Sequence, residues 1–155
     1  MKKTDTMENK FTARATVMID APAERVWEAL TRPEVIKKYF FGTNTITDWK
    51  IGAPIQFSGE FNGKSYKDRG TVLAFDPYNL IQYQYWSSLS GLPDEPENYL
   101  TISYFLTEVE SKTRLDISQE NVRDELTKEH SEENWRKVLA SLKKVVEDSA
   151  RVLAF

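Results

Sequence analysis

The chain of 155 residues is 40% hydrophobic and 29% charged, which is typical of one globular domain and excludes a disordered or membrane-spanning chain. Its formal net charge of -3, with no basic stripe, argues against nucleic-acid binding. The lack of cysteine excludes disulfides, thiolate catalysis and cysteine-ligated zinc, and no apolar run approaches the ~20 residues of a membrane-spanning helix. We therefore expect a cytoplasmic protein without a membrane span.

The first third of the chain predicts a polar leader, one strand and two short helices. Residues 1–10 lack the apolar stretch of a secretory signal and are expected to be disordered, whereas residues 11–155 are expected to form one domain. Alternating apolar residues predict a strand over Phe11–Asp20. Prolines then open two helices in series, Pro22–Leu30 and a second from Pro33 to about Phe40.

The middle of the chain predicts six strands joined mostly by hairpins, with Asn62-Gly63 as the strongest turn signal. The segment Ser87–Asn98 is too long for a tight hairpin, so it is either a lid over a site or a mobile surface insertion. The predicted strands are Thr45–Trp49, Ile55–Phe61, Tyr66–Phe75, Leu80–Trp86, Leu100–Leu106 and Arg114–Gln119.

The last long segment, Ser131–Ser149, predicts a one-sided helix that begins at a Ser131 cap after a polar lead-in over residues 121–130. A helix this long needs a large apolar surface to lie against, and the preceding strands supply a curved antiparallel sheet. Its apolar stripe consists of Trp135, Val138, Leu139, Leu142, Val145 and Val146.

Four motifs, in order, match the pattern of one known family over roughly residues 11–149. They are Ile19–Glu34, Gly70–Leu73 leading into Asp76-Pro77, Thr113–Leu115 and Asn134–Leu139. The chain resembles the homologues of the heat-shock-protein-90 ATPase activator, within the START-like SRPBCC superfamily. Two positions depart from the family pattern: Asn134 stands where glycine is usual, and Tyr39-Phe40-Phe41 stands where a tryptophan is frequent.

The resemblance implies an α+β helix-grip fold (START-like, TBP-like). In that fold a seven-stranded antiparallel sheet curves around a long C-terminal helix, and two short helices follow the first strand. Superfamily members use the cavity between sheet and helix for lipids, hormones or other apolar molecules, and some members are enzymes. The chaperone activator binds its partner through surface contacts, so the fold does not fix the function.

Nine residues are candidates for lining such a cavity. Those of the final helix either face the cavity or pack as ordinary core. Tyrosines are informative because a buried hydroxyl needs a partner, although the inward parity of Leu80–Trp86 stays open. The candidates are Phe57, Phe61, Tyr83, Tyr85, Tyr99, Tyr104, Trp135, Leu139 and Leu142.

No catalytic or metal-binding set stands out. His130 is the single histidine and lies in a polar stretch, which predicts exposure to solvent. Glu60 or Asp48 would be a candidate catalytic acid only if its side chain faced inward, and alternation turns Glu60 outward. The acids of the Ser87–Asn98 segment are interpreted as solvated, so no metal or cofactor is expected.

Three functions follow, in this order. The first is non-catalytic binding of a small apolar ligand in the cavity. The second, from the resemblance alone, is a co-chaperone-type interaction module whose partner is a chaperone. The third is a cyclase- or hydrolase-like enzyme, which needs an acid–base pair in the cavity. The sequence specifies neither the ligand nor the oligomeric state.

Overall fold

The structure, a computed structural model, describes residues 11–153, so the expected disorder of residues 1–10 lies outside the described residues. The chain forms a strand, two short helices, six more strands and a long helix, with a 3-10 turn at Pro96–Asn98. In chain order these are β1 Phe11–Ile19, α1 Ala23–Thr31, α2 Pro33–Tyr39, β2 Asn44–Thr47, β3 Pro54–Phe61, β4 Lys64–Asp76, β5 Leu80–Trp86, β6 Leu100–Val109, β7 Lys112–Val122 and α3 Glu125–Leu153.

The strands form one seven-stranded sheet in the order β1-β7-β6-β5-β4-β3-β2, and every neighbouring pair is antiparallel. Strands β2 to β7 follow each other along the sheet, whereas α1 and α2 carry the chain from β1 at one edge to β2 at the other. The inner face of the sheet shares one apolar core with α3. The predicted helix-grip fold is confirmed.

Helix α3 begins at Glu125, so the predicted start at Ser131 is wrong. Asp124 supplies the cap, because its Oδ1 accepts the backbone N–H of Thr127 at 2.8 Å. The first turns carry no apolar stripe, and Leu126 is 64% exposed. Periodicity therefore marks only the part of the helix that packs against the sheet.

Helix α3 also covers the outer edge of the sheet. Glu132 Oε2 accepts the Arg14 N–H of β1 at 3.0 Å, and Glu147 Oε2 accepts the Asp20 N–H just beyond it at 2.7 Å. Lys143 Nζ donates to a carbonyl of the same strand at 3.0 Å. Side chains of α3 thus bond backbone groups of β1, the edge strand of the sheet that the described residues form.

Helices α1 and α2 close one end of the sheet. Trp27 of α1 packs against Phe75 of β4, with ring centroids 5.1 Å apart, as a helix-to-sheet anchor. The N-terminus of α1 is capped from β6, because Glu108 Oε1 accepts the Ala23 N–H at 2.7 Å. These contacts fix α1 against the sheet, and the Tyr39 hydroxyl of α2 donates to the Ala29 carbonyl of α1 at 2.9 Å.

Candidate functional site

A pocket of about 270 Å³ lies between α3 and strands β3 to β5. Helix α3 lies closest to β1, where the inward residues Ala13 and Ala15 are small and buried. On the far side of the sheet, larger side chains hold the helix away and leave the gap. The lining residues are Phe40, Phe41, Thr43, Phe57, Phe61, Tyr66, Asp68, Tyr83, Tyr85, Ser87, Leu89, Ile102, Gln119, Ser131, Asn134, Trp135 and Val138.

A row of aromatic rings runs from the sheet to the helix along this pocket. Phe57 lies 5.6 Å from Tyr83 and 5.7 Å from Tyr85, measured between ring centroids. Tyr104 lies behind Tyr83 at 5.8 Å and meets Trp135 of α3 at 6.0 Å. Most of these pairs are tilted or edge-to-face, which are the favourable arrangements for aromatic rings. The row gives the pocket rigid apolar walls.

A buried carboxylate, Asp68, faces this aromatic row and is only 5% exposed. Its Oδ2 accepts the Tyr85 hydroxyl at 2.5 Å, and its Oδ1 accepts the Ser88 N–H at 2.8 Å and the Ser88 hydroxyl at 3.1 Å. Burial, together with the neighbouring Asp68 charge, raises the pKa of Tyr85 well above its usual value. The Tyr85 hydroxyl therefore stays protonated and donates to the carboxylate.

The two tyrosines behind this pair satisfy each other. The hydroxyl groups of Tyr83 and Tyr104 are 2.9 Å apart. Burial raises the pKa of Tyr104 to about 12 and that of Tyr83 well above its usual value. Both hydroxyls are neutral at physiological pH.

Gln119 of β7 separates this pocket from a second one. Its Oε1 accepts the Trp135 indole N–H at 2.7 Å, and its Nε2 donates to the Ser131 hydroxyl at 3.1 Å. The second pocket, of about 410 Å³, lies between the Ser87–Asn98 loop and the start of α3. Both pockets are lined by Tyr85, Ser87 and Gln119.

The Ser87–Asn98 loop is attached to the sheet at several points and borders both pockets. Asp94 pairs with the Arg69 guanidinium and accepts the Tyr99 hydroxyl at 2.6 Å. The Trp86 indole N–H donates to the Leu92 carbonyl at 3.1 Å. At the start of the loop, Leu89 lines the first pocket and is 45% exposed.

The first pocket is bordered by three exposed apolar side chains from three different segments. Besides Leu89 of the loop, these are Phe41 after α2 and Phe61 at the end of β3, which are 55% and 53% exposed. They form an apolar rim, defined here as Phe41, Phe61 and Leu89.

Four of the nine residues proposed from the sequence lie outside the lining. Tyr104 points inward but stands behind Tyr83, and Tyr99 bonds Asp94 on the loop. Leu139 and Leu142 lie in the core, because the α3 stripe approaches β1 beyond Val138. The other five line the pocket: Phe57, Phe61, Tyr83, Tyr85 and Trp135.

Sequence reasoning missed Asp68 and Gln119, although strand alternation could have found both. Asp68 shares parity with buried Val72 on β4, and Gln119 shares parity with buried Ile117 on β7. The acids that were considered, Glu60 and Asp48, are both exposed, and so is His130. The outward prediction for Glu60 and the exposure predicted for His130 are therefore confirmed.

Within the described part of the chain, no group of three or more His, Cys, Asp or Glu residues is placed to hold a metal ion. None of the helices over that range combines the length and apolar composition needed to cross a bilayer.

Comparison with solved structures places the chain among helix-grip proteins. ChR145 from Cytophaga hutchinsonii is 42% identical, with 91% of this chain and 97% of that chain covered and a TM-score of 0.78. The Aha1 dimer from Colwellia psychrerythraea is 23% identical, with 88% and 96% covered and a TM-score of 0.70. Ara h 8.0201 shares the fold at 9% identity, with 90% and 99% covered and a TM-score of 0.73.

No curated protein matches the sequence. A sequence model of the family described as "Activator of Hsp90 ATPase homolog 1-like protein" matches residues 20–147, which is most of the chain. The fold and this match support a ligand-binding or interaction module of the START-like superfamily. The chain belongs to the Activator of Hsp90 ATPase homolog 1-like family.

Proposed function

We propose that the protein binds a small, largely apolar molecule in the aromatic pocket and carries out no reaction on it. The observation that carries this proposal is the row of aromatic rings around a volume of about 270 Å³. Apolar walls with a few placed polar groups are the usual composition of small-molecule sites. An apolar cavity of ~150 Å³ holds benzene, so this volume suits a molecule of about two fused rings.

The apolar rim supports the same proposal, because it offers a ligand a partly apolar path from water into the pocket. Exposed apolar groups that cluster around a concavity are typical of binding grooves. A cytoplasmic location, expected from the lack of cysteine, is part of the proposal.

The enzymatic alternative needs an acid and a base within reach of the ligand. The raised pKa values of Tyr83 and Tyr85 keep their hydroxyls protonated, so neither is a base at neutral pH. The one buried acid of the lining, Asp68, already accepts three hydrogen bonds from Tyr85 and Ser88. These features favour binding over catalysis.

The test is calorimetric titration with 1-naphthalenemethanol, a neutral two-ring probe, on wild type and a pocket-filled variant. Val138 lines the pocket and is buried, so Val138→Phe places a ring inside it. We expect wild type to bind and Val138→Phe to lose the binding, with circular dichroism confirming that the variant folds. The control is Val109→Phe at a half-exposed site on β6, which keeps the binding. Equal affinity in wild type and Val138→Phe would contradict the proposal.

The family match supports a second candidate, an interaction module that acts on a chaperone of the Hsp90 type. In this case the apolar rim would be part of the contact surface. The measurement is the ATPase rate of purified Hsp90 with and without the protein. We expect Phe41→Ser and Phe61→Ser to abolish any change in rate, whereas Val109→Ser retains it. An unchanged rate with wild type removes this candidate.

A further inference from the structure

We propose that the pocket selects an apolar molecule that carries a protonated amine, with the ammonium group bound to the Asp68 carboxylate. This inference rests on the proposed function and names the chemical class of the ligand. Three observations carry it: an open acceptor position on Asp68, the charge of the lining, and the aromatic rings beside the carboxylate.

The first observation concerns the hydrogen bonds of Asp68. A carboxylate offers about four acceptor positions. Ser88 fills two at Oδ1 through its N–H and hydroxyl, and Tyr85 fills one at Oδ2. The described residues therefore leave one position at Oδ2 for a donor from the ligand. Because Asp68 lines the pocket, that donor can arrive without displacing Ser88 or Tyr85.

The second observation is that the partners of Asp68 in the structure are neutral donors. Among the described residues that line the pocket, Asp68 is the one charged side chain, and none is Lys, Arg or His. The neighbouring Arg69 is 61% exposed and pairs with Asp94 of the loop. Asp68 is 5% exposed and, among the described residues, is bonded only to neutral groups, so a ligand cation would be the first charged partner of its carboxylate.

The same charge argues against a carboxylic acid as ligand. A fatty-acid headgroup in this pocket would find no lining cation and would lie near the Asp68 carboxylate. Like charges in a desolvated site repel strongly, because the surrounding dielectric is low. A neutral alcohol would fill the open acceptor position, but it would leave the charge uncompensated.

The third observation is the set of rings next to Asp68. Tyr85 is bonded to the carboxylate, and Phe57 and Tyr83 lie within 6.5 Å of the Tyr85 ring. Faces of aromatic rings attract a desolvated cation. The rings and the carboxylate therefore both favour a positive charge on the ligand. The apolar wall accommodates the uncharged part of the molecule.

The experiment compares three probes with the same two-ring body: 1-naphthylmethylamine, 1-naphthalenemethanol and 1-naphthoic acid. Each is titrated into the full chain by calorimetry at neutral pH. We expect the amine to bind at least about tenfold more tightly than the alcohol, and the acid to be the weakest. In Asp68→Asn the amine loses about tenfold or more, whereas the alcohol changes by less than about threefold. The control Asp48→Asn removes the same charge from an exposed residue outside the lining and keeps the order of the probes.

The outcomes separate this inference from the proposed function. An alcohol that binds as tightly as the amine, or an Asp68→Asn variant that retains amine affinity, overturns the inference and leaves the apolar pocket intact. Binding by none of the three probes overturns both. The order of the probes on wild type needs no variant, so it decides the question even if Asp68→Asn fails to fold.

Discussion

Gln119 joins strand β7 to helix α3 where the two pockets meet. Both ends of its amide are used, because Oε1 accepts the Trp135 indole N–H and Nε2 donates to Ser131. We expect Gln119→Leu to leave the buried Trp135 donor unpaired and to lower the free energy of unfolding by about 1–3 kcal/mol. Chemical denaturation measures the loss. The same substitution at exposed Gln56 is the control, and an equal effect at both sites would contradict this role for Gln119.

Gly70 of β4 has no room for a side chain. A methyl group at this position would overlap the carbonyl oxygen of Gln84 and lie 2.6 Å from its carbonyl carbon. Because the obstacle is backbone of the paired strand β5, it cannot rotate away. We expect Gly70→Ala to lower the free energy of unfolding by about 3 kcal/mol or more.

The matched substitution is Gly59→Ala, where the new methyl group meets the Tyr66 hydroxyl at 2.8 Å. A side-chain end can shift, so we expect a smaller loss than at Gly70. Thermal unfolding of both variants measures the difference. A Gly70→Ala protein as stable as Gly59→Ala would show that β4 and β5 separate easily at this point.

At the scale of elements, the contact of α3 with β1 includes a titratable carboxyl group, Glu132. The Arg14 N–H bonded to Glu132, with Lys128 nearby, lowers the pKa of the Glu132 carboxyl. A pKa that is lower in the folded than in the unfolded state gives stability above the unfolded value, and this stability is lost as pH falls through the folded value.

We therefore expect Glu132→Gln to lower the free energy of unfolding at pH 7, with the difference from wild type shrinking as pH falls below the ordinary glutamate value of 4.5. Urea titrations at several pH values measure this difference. Glu133→Gln, at the exposed neighbouring residue, is the control for loss of one charge on the same helix. A pH-independent difference would mean that Glu132 acts through packing alone.

Helices and strands were predictable from the sequence where the apolar residues followed a single spacing. Alternation gave β1 and β3, and the three- and four-residue steps gave the packed part of α3. Strand β5 was ambiguous because apolar or aromatic residues occur at both parities of Leu80–Trp86, and the structure turns Ile81, Tyr83 and Tyr85 inward. The polar first turns of α3 escaped prediction because their sequence carries no apolar stripe.

At the scale of the whole molecule, the pocket follows from the unequal sizes of inward side chains across the sheet. Small residues on β1, Ala13 and Ala15, let α3 approach, and bulky rings on β3 to β5 hold it off. One stripe of α3 therefore includes the pocket residue Trp135 and the core residue Leu139. Periodicity gives the face of a helix but not its distance from the sheet, so the two roles could not be separated from sequence.

Whether the Ser87–Asn98 loop is a lid, meaning a segment that becomes more ordered over a bound ligand, is also a question about the whole molecule. Ser87 and Leu89 line the first pocket, and the Ser88 and Ser90 amides donate to Asp68 Oδ1 at 2.8 Å and to the Ser87 carbonyl at 3.1 Å. A ligand that contacts the start of the loop stabilises these bonds against local opening. We expect saturating 1-naphthylmethylamine to slow hydrogen exchange at Ser88 and Ser90.

Amides of residues 143–147, on the part of α3 beyond the pocket lining, provide the internal reference for that experiment. Some amides exchange only when the whole protein unfolds. If binding raised only the global stability, exchange of such amides would slow equally in the helix and in the loop. A lid requires an additional, local slowing at Ser88 and Ser90. Loop amides that exchange equally fast with and without bound probe would identify the segment as a surface insertion, because ligand contact would then contribute nothing to its order.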